Sequence, residues 1–202
     1  GLCNRQLPAL KHLDLNVDLD WQCLEGYMSL AIAFQHTIKV LSVSGHCYRD
    51  GDWALKPVLE TLRESLEGLR VDNDEMLAKL SDVHFPNLRV LHIENWDGYF
   101  STLLFSGHFF FNAPIEVIII DESERKDYSS KLAFPSHPFR KITTLRRLVF
   151  LNPYPDDYWP AEPYILACKN SGVQWLVRRH EVDISDIMVR SPSDLCCLLH
   201  VA

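Results

Sequence analysis

The sequence contains little glycine and none of the short motifs that mark the common enzyme sites. Only eight of its 202 residues are glycine. It has no G-x-G-x-x-G, P-loop, G-x-S-x-G, H-E-x-x-H or C-x-x-C pattern. Those motifs serve phosphate binding, nucleophilic catalysis and zinc binding, so their absence argues against these activities. No cofactor is expected, and an enzyme built on an α/β sheet is the least favoured of three functions.

Long apolar runs and an excess of basic residues are also missing. No stretch approaches the roughly 18 uninterrupted apolar residues that a membrane-spanning helix needs. The formal net charge of −7 disfavours general binding to the phosphate backbone of nucleic acids. Neither a membrane nor a nucleic acid is therefore expected as a partner. The six cysteines show no disulfide or zinc spacing, so reduced thiols in an intracellular protein, cytoplasmic or nuclear, are the simplest interpretation.

What the sequence does contain is an internal repeat, seen most clearly in FPNLRVLHIEN at residues 85–95. Each copy has an apolar residue, two free positions, a second apolar residue, one free position and a third apolar residue. Copies begin at residues 10, 38, 66, 88, 115 and 145, and a weaker seventh begins near residue 173. Each copy predicts a short strand that shares one core with its neighbours. The second apolar residues should then lie side by side: Leu13, Leu41, Leu69, Leu91, Ile118 and Leu148.

The segments between the copies predict helices on the outer side of the sheet. Val58, Leu59 and Leu62 have helical spacing after Pro57, and a later helix should end at Gly172. Residues 183–202 predict a C-terminal cap. We therefore expect a single α/β domain over residues 1–202, with a curved parallel sheet and outer helices. The alternative is an ordinary parallel α/β domain, although its strands usually read as solid apolar runs because both faces are buried.

The six copies resemble leucine-rich repeats over about residues 7–180. The irregular loops, the Trp-rich turns and SGVQWLVRRHEVD near the end resemble, more narrowly, the leucine-rich-repeat halves of fungal F-box proteins. This resemblance implies a leucine-rich-repeat-like solenoid that recognises substrates for a Skp–cullin–F-box ubiquitin ligase. The Skp adaptor would dock on an F-box expected before residue 1, while this domain would bind the protein target. A leucine-rich-repeat scaffold unrelated to ubiquitin is the alternative function.

The free positions of the repeat identify the residues of a concave face. The central free positions are Asp14, Ser42, Arg70, His92, Ile119 and Val149. The next free positions are Asn16, Ser44, Asp72, Glu94, Asp121 and Leu151. Ile119, Val149 and Leu151 predict an exposed apolar patch that either binds a protein or is covered by a neighbouring segment. If the patch binds a partner, changing Ile119 or Val149 to Asp should leave the fold intact and weaken capture.

Loop aromatics and a set of basic residues complete the predicted surface. NPYPDDYW, at 152–159, places three aromatic residues on one rim, where such residues often carry interface energy, although each could instead fill its own loop. The basic set could bind an acidic or phosphorylated peptide, or form a solvated face; it comprises Arg140, Lys141, Arg146, Arg147, Arg178, Arg179 and His180. No residue is predicted to be catalytic or metal-binding. The predicted partner-binding residues are Arg70, His92, Glu94, Ile119, Asp121, Arg147, Val149, Leu151, Tyr154, Tyr158 and Trp159.

Overall fold

The computed structural model describes residues 10–16, 23–45, 48–49, 52–53, 55–73, 76–77, 79–95, 113–121, 139, 142–152, 160 and 162–179. These residues form three helices, α1 (Cys23–Phe34), α2 (Lys56–Leu62) and α3 (Glu162–Ser171). They also form nine strands: β1 (His12–Asn16), β2 (Val40–Ser44), β3 (Tyr48–Arg49), β4 (Asp52–Trp53), β5 (Gly68–Asn73), β6 (Val90–Asn95), β7 (Val117–Asp121), β8 (Arg147–Leu151) and β9 (Gln174–Arg178).

Seven of the described strands form one parallel sheet, in the order in which they occur along the chain. The order is β1-β2-β5-β6-β7-β8-β9, and every adjacent pair is parallel. Strands β3 and β4 pair antiparallel in a separate two-stranded sheet, with Tyr48 opposite Trp53. Because the order of the main sheet never reverses, its described strands contain no switch point of the kind at which doubly wound sheets bind ligands.

The register of the main sheet confirms the predicted row of apolar residues. Each member is the Cα partner of the next, in the series Leu13, Leu41, Leu69, Leu91, Ile118 and Leu148. The intervals between these partners are 28, 28, 22, 27 and 30 residues, the same as the intervals between the first six copies of the sequence pattern. The repeated segments are therefore consecutive strands of one parallel α/β sheet.

The last strand, β9, adds to the sheet in a different register from the one its sequence predicts. Leu148 lies opposite Trp175 rather than Leu176. Trp175 and Val177 pack against the main core, whereas Leu176 pairs with Val149 on the other face. The predicted seventh copy is thus wrong by one residue. Its first apolar position is occupied by Gly172, whose φ of 69° suits the residue that ends a helix, and α3 does end at Ser171.

The main core lies between the sheet and the helices. It contains buried residues from all three described helices, including Ala31 of α1, Leu59 of α2 and Cys168 of α3. The same cluster contains Leu41, Leu69 and Leu91 of the strands. The three described helices therefore lie on one face of the sheet, and we call the opposite face the distal face.

The same backbone contact recurs just before successive strands of the main sheet, at the first free position of the repeat. The carbonyl of Lys11 accepts hydrogen bonds from the N–H groups of Lys39 and Val40, at 2.8 and 2.9 Å. The same paired contact recurs at four further carbonyls along the sheet, those of Lys39, Glu67, Arg89 and Glu116. Side chains of this row also pair in sequence, with Lys39 Nζ 3.1 Å from Glu67 Oε1. In the sequence, this row corresponds to the charged residue at the first free position of each repeat.

Some predictions concern residues that the structure does not describe. The C-terminal cap at residues 183–202 lies outside the described residues. The same holds for Tyr154, Tyr158 and Trp159 of the predicted aromatic rim. These predictions therefore stand as they were derived from the sequence.

Candidate functional site

The distal face carries seven of the predicted partner-binding residues in the predicted rows: Arg70, His92, Glu94, Ile119, Asp121, Val149 and Leu151. Its central row, in which each residue is the Cα partner of the next, runs Asp14, Ser42, Arg70, His92, Ile119, Val149 and Leu176. Side chains alternate between the two faces of a strand, so these residues lie opposite the helix-covered core. The rows were predictable from the sequence because the apolar pattern fixes both faces of each strand at once.

The apolar residues of β7 and β8 on the distal face are buried, which corrects the prediction of an exposed apolar patch. Ile119, Val149 and Leu151 are 0%, 3% and 0% exposed. Together with Val40, Val90 and Val117 they form a second apolar cluster. Burying one such side chain contributes about 1.5–3 kcal/mol, which favours covering the patch over exposing it. These residues therefore form a second buried core, which agrees with the alternative interpretation of the sequence.

Two polar residues that were predicted to contact a partner are also buried. His92 is 1% exposed and Asp121 is 5% exposed. His92 lies in the central row between Arg70 and Ile119, where the distal face changes from polar to apolar. As placed, neither His92 nor Asp121 reaches a partner that docks from solvent, so the prediction of direct surface contact by these two residues is corrected.

The first half of the distal face carries an ion pair between two of the predicted residues. Arg70 Nη2 donates to Glu94 Oε1, and the two side chains are 33% and 21% exposed. Arg70 lies opposite His92, and Glu94 follows two residues later on β6, on the same face. The structure therefore brings Arg70 and Glu94 together within reach of solvent.

Asp72 lies near this pair and is held by the backbone. Its Oδ2 accepts a hydrogen bond from the Gly45 N–H at 3.2 Å. Gly45 has a φ of 101°, a conformation that glycine adopts far more readily than other residues. The turn that follows β2 is thereby tied to β5. We call the accessible residues Asp14, Ser44, Arg70, Asp72 and Glu94 the polar surface.

A contact that the sequence analysis did not single out joins His12 to two neighbours. His12 Nε2 lies 3.0 Å from Ser42 Oγ and 3.1 Å from Asp14 Oδ1. Serine, histidine and aspartate are the residue types of a catalytic triad, in which the acid holds one ring nitrogen and the nucleophile the other. Here both partners share Nε2, so this arrangement does not form such a triad. The sequence could have indicated the contact between His12 and Asp14, because residues two apart on one strand lie on the same face.

The sheet separates the described members of the predicted basic set. Arg147 begins β8 opposite Gln174, whereas Arg178 ends β9 opposite Leu151. Four residues of strand place these arginines roughly 13 Å apart along the sheet at about 3.3 Å per residue. Arg146 and Arg179 are adjacent in sequence to this pair, so they alternate to the other side of the chain. Arg147 and Arg178 therefore lie at opposite ends of their strands, while Arg140, Lys141 and His180 lie outside the described residues.

The described residues offer little for metal or thiol chemistry. They contain no group of three or more His, Cys, Asp or Glu residues that could hold a metal ion. Burial raises the pKa of the Cys168 thiol to about 12, so this thiol is protonated at neutral pH and is a poor nucleophile. In the same parts of the chain, no helix combines the length and the apolar character needed to cross a membrane.

Comparisons were made with protein families, with curated proteins and with solved structures. None of the three finds a match for this chain. The parallel α/β sheet and the chemistry of its distal face are therefore the basis on which a function can be proposed.

Proposed function

We propose that this chain is a protein-interaction domain, a leucine-rich-repeat-like solenoid with a curved sheet that binds its target on the distal face. The observation that carries this proposal is the agreement between the repeat intervals and the register of the sheet. Each strand pairs with the strands that precede and follow it in the main sheet. Proteins assembled from stacked units in this way present long surfaces that commonly bind other proteins.

The polar surface is the part of the distal face that we propose for binding. Asp14 is exposed, and Ser44, Arg70, Asp72 and Glu94 are half-buried. Half-buried polar side chains on strands are held by the sheet, so they lose less conformational entropy on binding than long loop side chains do. The surface carries three carboxylates and one guanidinium. It therefore differs from the apolar patch of Ile119, Val149 and Leu151, for which the sequence left binding and covering open, and it suits a polar partner.

We further propose that the domain recognises substrates for a Skp–cullin–F-box ubiquitin ligase. The support for this finer function is the resemblance of the repeats and of the final segment to fungal F-box proteins. In such a ligase the adaptor would dock on an F-box outside these 202 residues, and ubiquitin transfer would take place on another subunit. The proposed place of action is then the cytoplasm or the nucleus.

The geometry favours this proposal over an α/β enzyme. Enzymes on open parallel sheets bind ligands where the strand order reverses, and the described strands follow one direction. The contact of His12 with Ser42 and Asp14 uses a single ring nitrogen for both partners, which is not the arrangement of a catalytic triad.

The test is the capture of partners by the tagged full-length protein in its own cells. We expect a Skp-type adaptor and a target to copurify. The target should be lost from the double variant Arg70→Ala/Glu94→Ala. The matched control is Glu60→Ala, on the exposed side of α2, which should retain both proteins.

The outcomes separate the alternatives. A target that copurifies without an adaptor would favour a scaffold unrelated to ubiquitin. Equal capture of the target by the double variant and the control would contradict binding through the polar surface. Ubiquitin conjugation of the target should also decrease in the double variant, because the ligase can no longer hold it.

A further inference from the structure

Strand β1 is the first strand of the main sheet, and one of its edges faces away from every other described strand. The Lys11 carbonyl accepts a hydrogen bond from the N–H of Val40 on β2. Successive residues of a strand direct their backbone groups to opposite edges. The N–H and C=O groups of His12 and Asp14 are therefore directed away from β2. An edge of this kind is a template for pairing with another strand.

The helix beside this edge exposes apolar side chains. The Tyr27 hydroxyl of α1 donates to the carbonyl of Asn16, the last residue of β1, at 3.0 Å. Leu30 follows about one turn later on the same side of α1 and is 39% exposed, while Ile32 is 57% exposed. Leu13 of β1 is only partly buried against the main core. An added strand that brings its own helix would cover part of this apolar surface.

We propose that β1 pairs antiparallel with β1 of a second copy of the chain, so that the two main sheets join across a twofold axis. Two symmetric registers centre on the middle of the strand. The register centred on Asp14 would place two carboxylates directly opposite each other. The register centred on Leu13 places each Asp14 opposite the partner's His12. Like charges directly opposite destabilise a strand pair and complementary groups stabilise it, so the second register is selected.

This register suits the surroundings of β1 as well as its charges. Two antiparallel strands of one sheet keep their faces, so both α1 helices lie on the same side and next to the axis. The partly exposed side chains of Leu13 and Leu30 are then covered by the same residues of the partner. The interface is isologous, so it closes on two copies and does not extend into a filament. The inference adds an assembly state to the proposed function and does not depend on it.

The experiment is sedimentation velocity of the full-length protein over the micromolar range, in which we expect a dimer. Asp14→Lys should weaken dimerisation about tenfold, because it places a cation opposite His12 at two symmetric positions. The matched control is Glu60→Lys on the exposed side of α2, which changes the net charge equally. It should change the dimerisation constant less than about twofold, because separated surface charges are screened by salt.

An exchange of charges tests the register. The double variant His12→Asp/Asp14→Lys again places a cation opposite a carboxylate in the register centred on Leu13, so it should recover most of the dimerisation that Asp14→Lys loses. In the register centred on Asp14, the same variant would oppose two cations and stay weak. Failure of the double variant to recover dimerisation would overturn the proposed register.

A backbone variant tests the edge itself. Asp14→Pro removes an N–H that is directed away from β2, so the chain should fold, as circular dichroism would show, and sediment as a monomer. Leu13→Cys should form a disulfide-linked dimer on oxidation, because facing Cα atoms of such a pair lie about 4.5 Å apart. The parent chain with its six native cysteines is the control.

The outcomes decide the proposal without reference to the target. A parent chain that is monomeric at every concentration, a dimer that persists in Asp14→Pro, or a Leu13→Cys variant that forms no more covalent dimer than the parent would each overturn pairing through β1. Capture of the cellular target through Arg70 and Glu94 would be unaffected by such a result, so the protein-binding function would stand.

Discussion

The two halves of the distal face share the same backbone rows but differ in their relation to solvent. In the first half, the central row contains Asp14, whose side chain is 71% exposed. In the second half, the same row contains Ile119, which is 0% exposed. The strands that carry them pair in one continuous parallel register. The repeat therefore fixes the position of each side chain, whereas side-chain chemistry determines whether that position faces solvent or a second core.

This difference is visible in the composition of the strands. Strand β7, Val117–Asp121, is buried at every residue. Strand β1, His12–Asn16, is buried at one residue of five. Strands with both faces buried read as continuous apolar runs, while strands with one solvated face alternate. The run IEVIII was thus a signal that the distal face is covered in its second half.

An exchange of residues across the two halves has the largest expected effect. Ile119→Asp places a carboxylate at a position without solvent access, and should lower the free energy of unfolding by more than about 4 kcal/mol. Its control is Asp14→Ile in the same row of the exposed half, which should change that free energy by no more than about 0.5 kcal/mol. Chemical denaturation of both variants measures the difference. A stable Ile119→Asp variant would indicate that Ile119 is exposed to solvent and would contradict the buried second core.

The helix-covered core should be packed more closely at the centre of the sheet than at its edge. Leu91→Ala, at a fully buried position in the middle of the apolar row, should lower the free energy of unfolding by about 2–5 kcal/mol. Leu13→Ala, in the same row on the edge strand, removes a partly buried side chain and should cost less than about 2 kcal/mol. Equal losses measured by denaturant unfolding would show that the edge is as closely packed as the centre.

The ion pair in the exposed half should contribute less than either core position. A double-mutant cycle that removes Arg70 and Glu94 should give a coupling energy of about 0.5–1 kcal/mol, because both side chains keep contact with solvent. The Lys39–Glu67 pair, 42% and 48% exposed, is the matched control and should give less. Added salt should reduce both values. Coupling at Lys39–Glu67 as large as at Arg70–Glu94 would mean that the sheet does not shield the latter pair.

The smallest expected effect lies on the helical side of the molecule, at an exposed pair. Lys56 Nζ donates to both carboxylate oxygens of Asp82, at 2.8 and 2.6 Å. These hydrogen bonds lower the pKa of Asp82 below the ordinary value of an aspartate. A lowered folded-state pKa means that the stabilisation is present above the unfolded-state pKa and is lost as pH falls through the folded-state pKa. Lys56→Met should raise the pKa of Asp82 in an NMR titration, and an unchanged titration would show that the pair does not persist in solution.

The sequence predicted the strands and their register because one apolar pattern controls both. Six copies at near-regular intervals leave few other ways to share a core, and Leu13 through Leu148 pair as expected. The same pattern could not identify what lies over the distal face, since it records which side of a strand is apolar and not what packs there. It also misplaced β9, where Leu176 fits the pattern but Trp175 occupies the inward position.

The candidate site was predictable to a similar extent. Arg70 and Glu94 were assigned to neighbouring positions by the repeat, and they form an ion pair. The shared contact of His12 with Ser42 and Asp14 depends on the rotamer of one ring, which no spacing rule determines. The burial of His92 depends on the apolar side chains beyond it and on their cover.

The carbonyl contact at the start of each unit has a consequence for the evolution of the chain. The Lys11 carbonyl accepts the N–H of Lys39, and the Lys39 carbonyl accepts the N–H of Glu67. Removal of residues 39–66 would bring the N–H of Glu67 to the Lys11 carbonyl and close the gap with an equivalent bond. Duplication of a repeat would break one of these carbonyl contacts, and the inserted copy would form two equivalent contacts in its place. Recombination can thus change the number of strands by whole repeats, without altering the hydrogen bonds between the remaining strands.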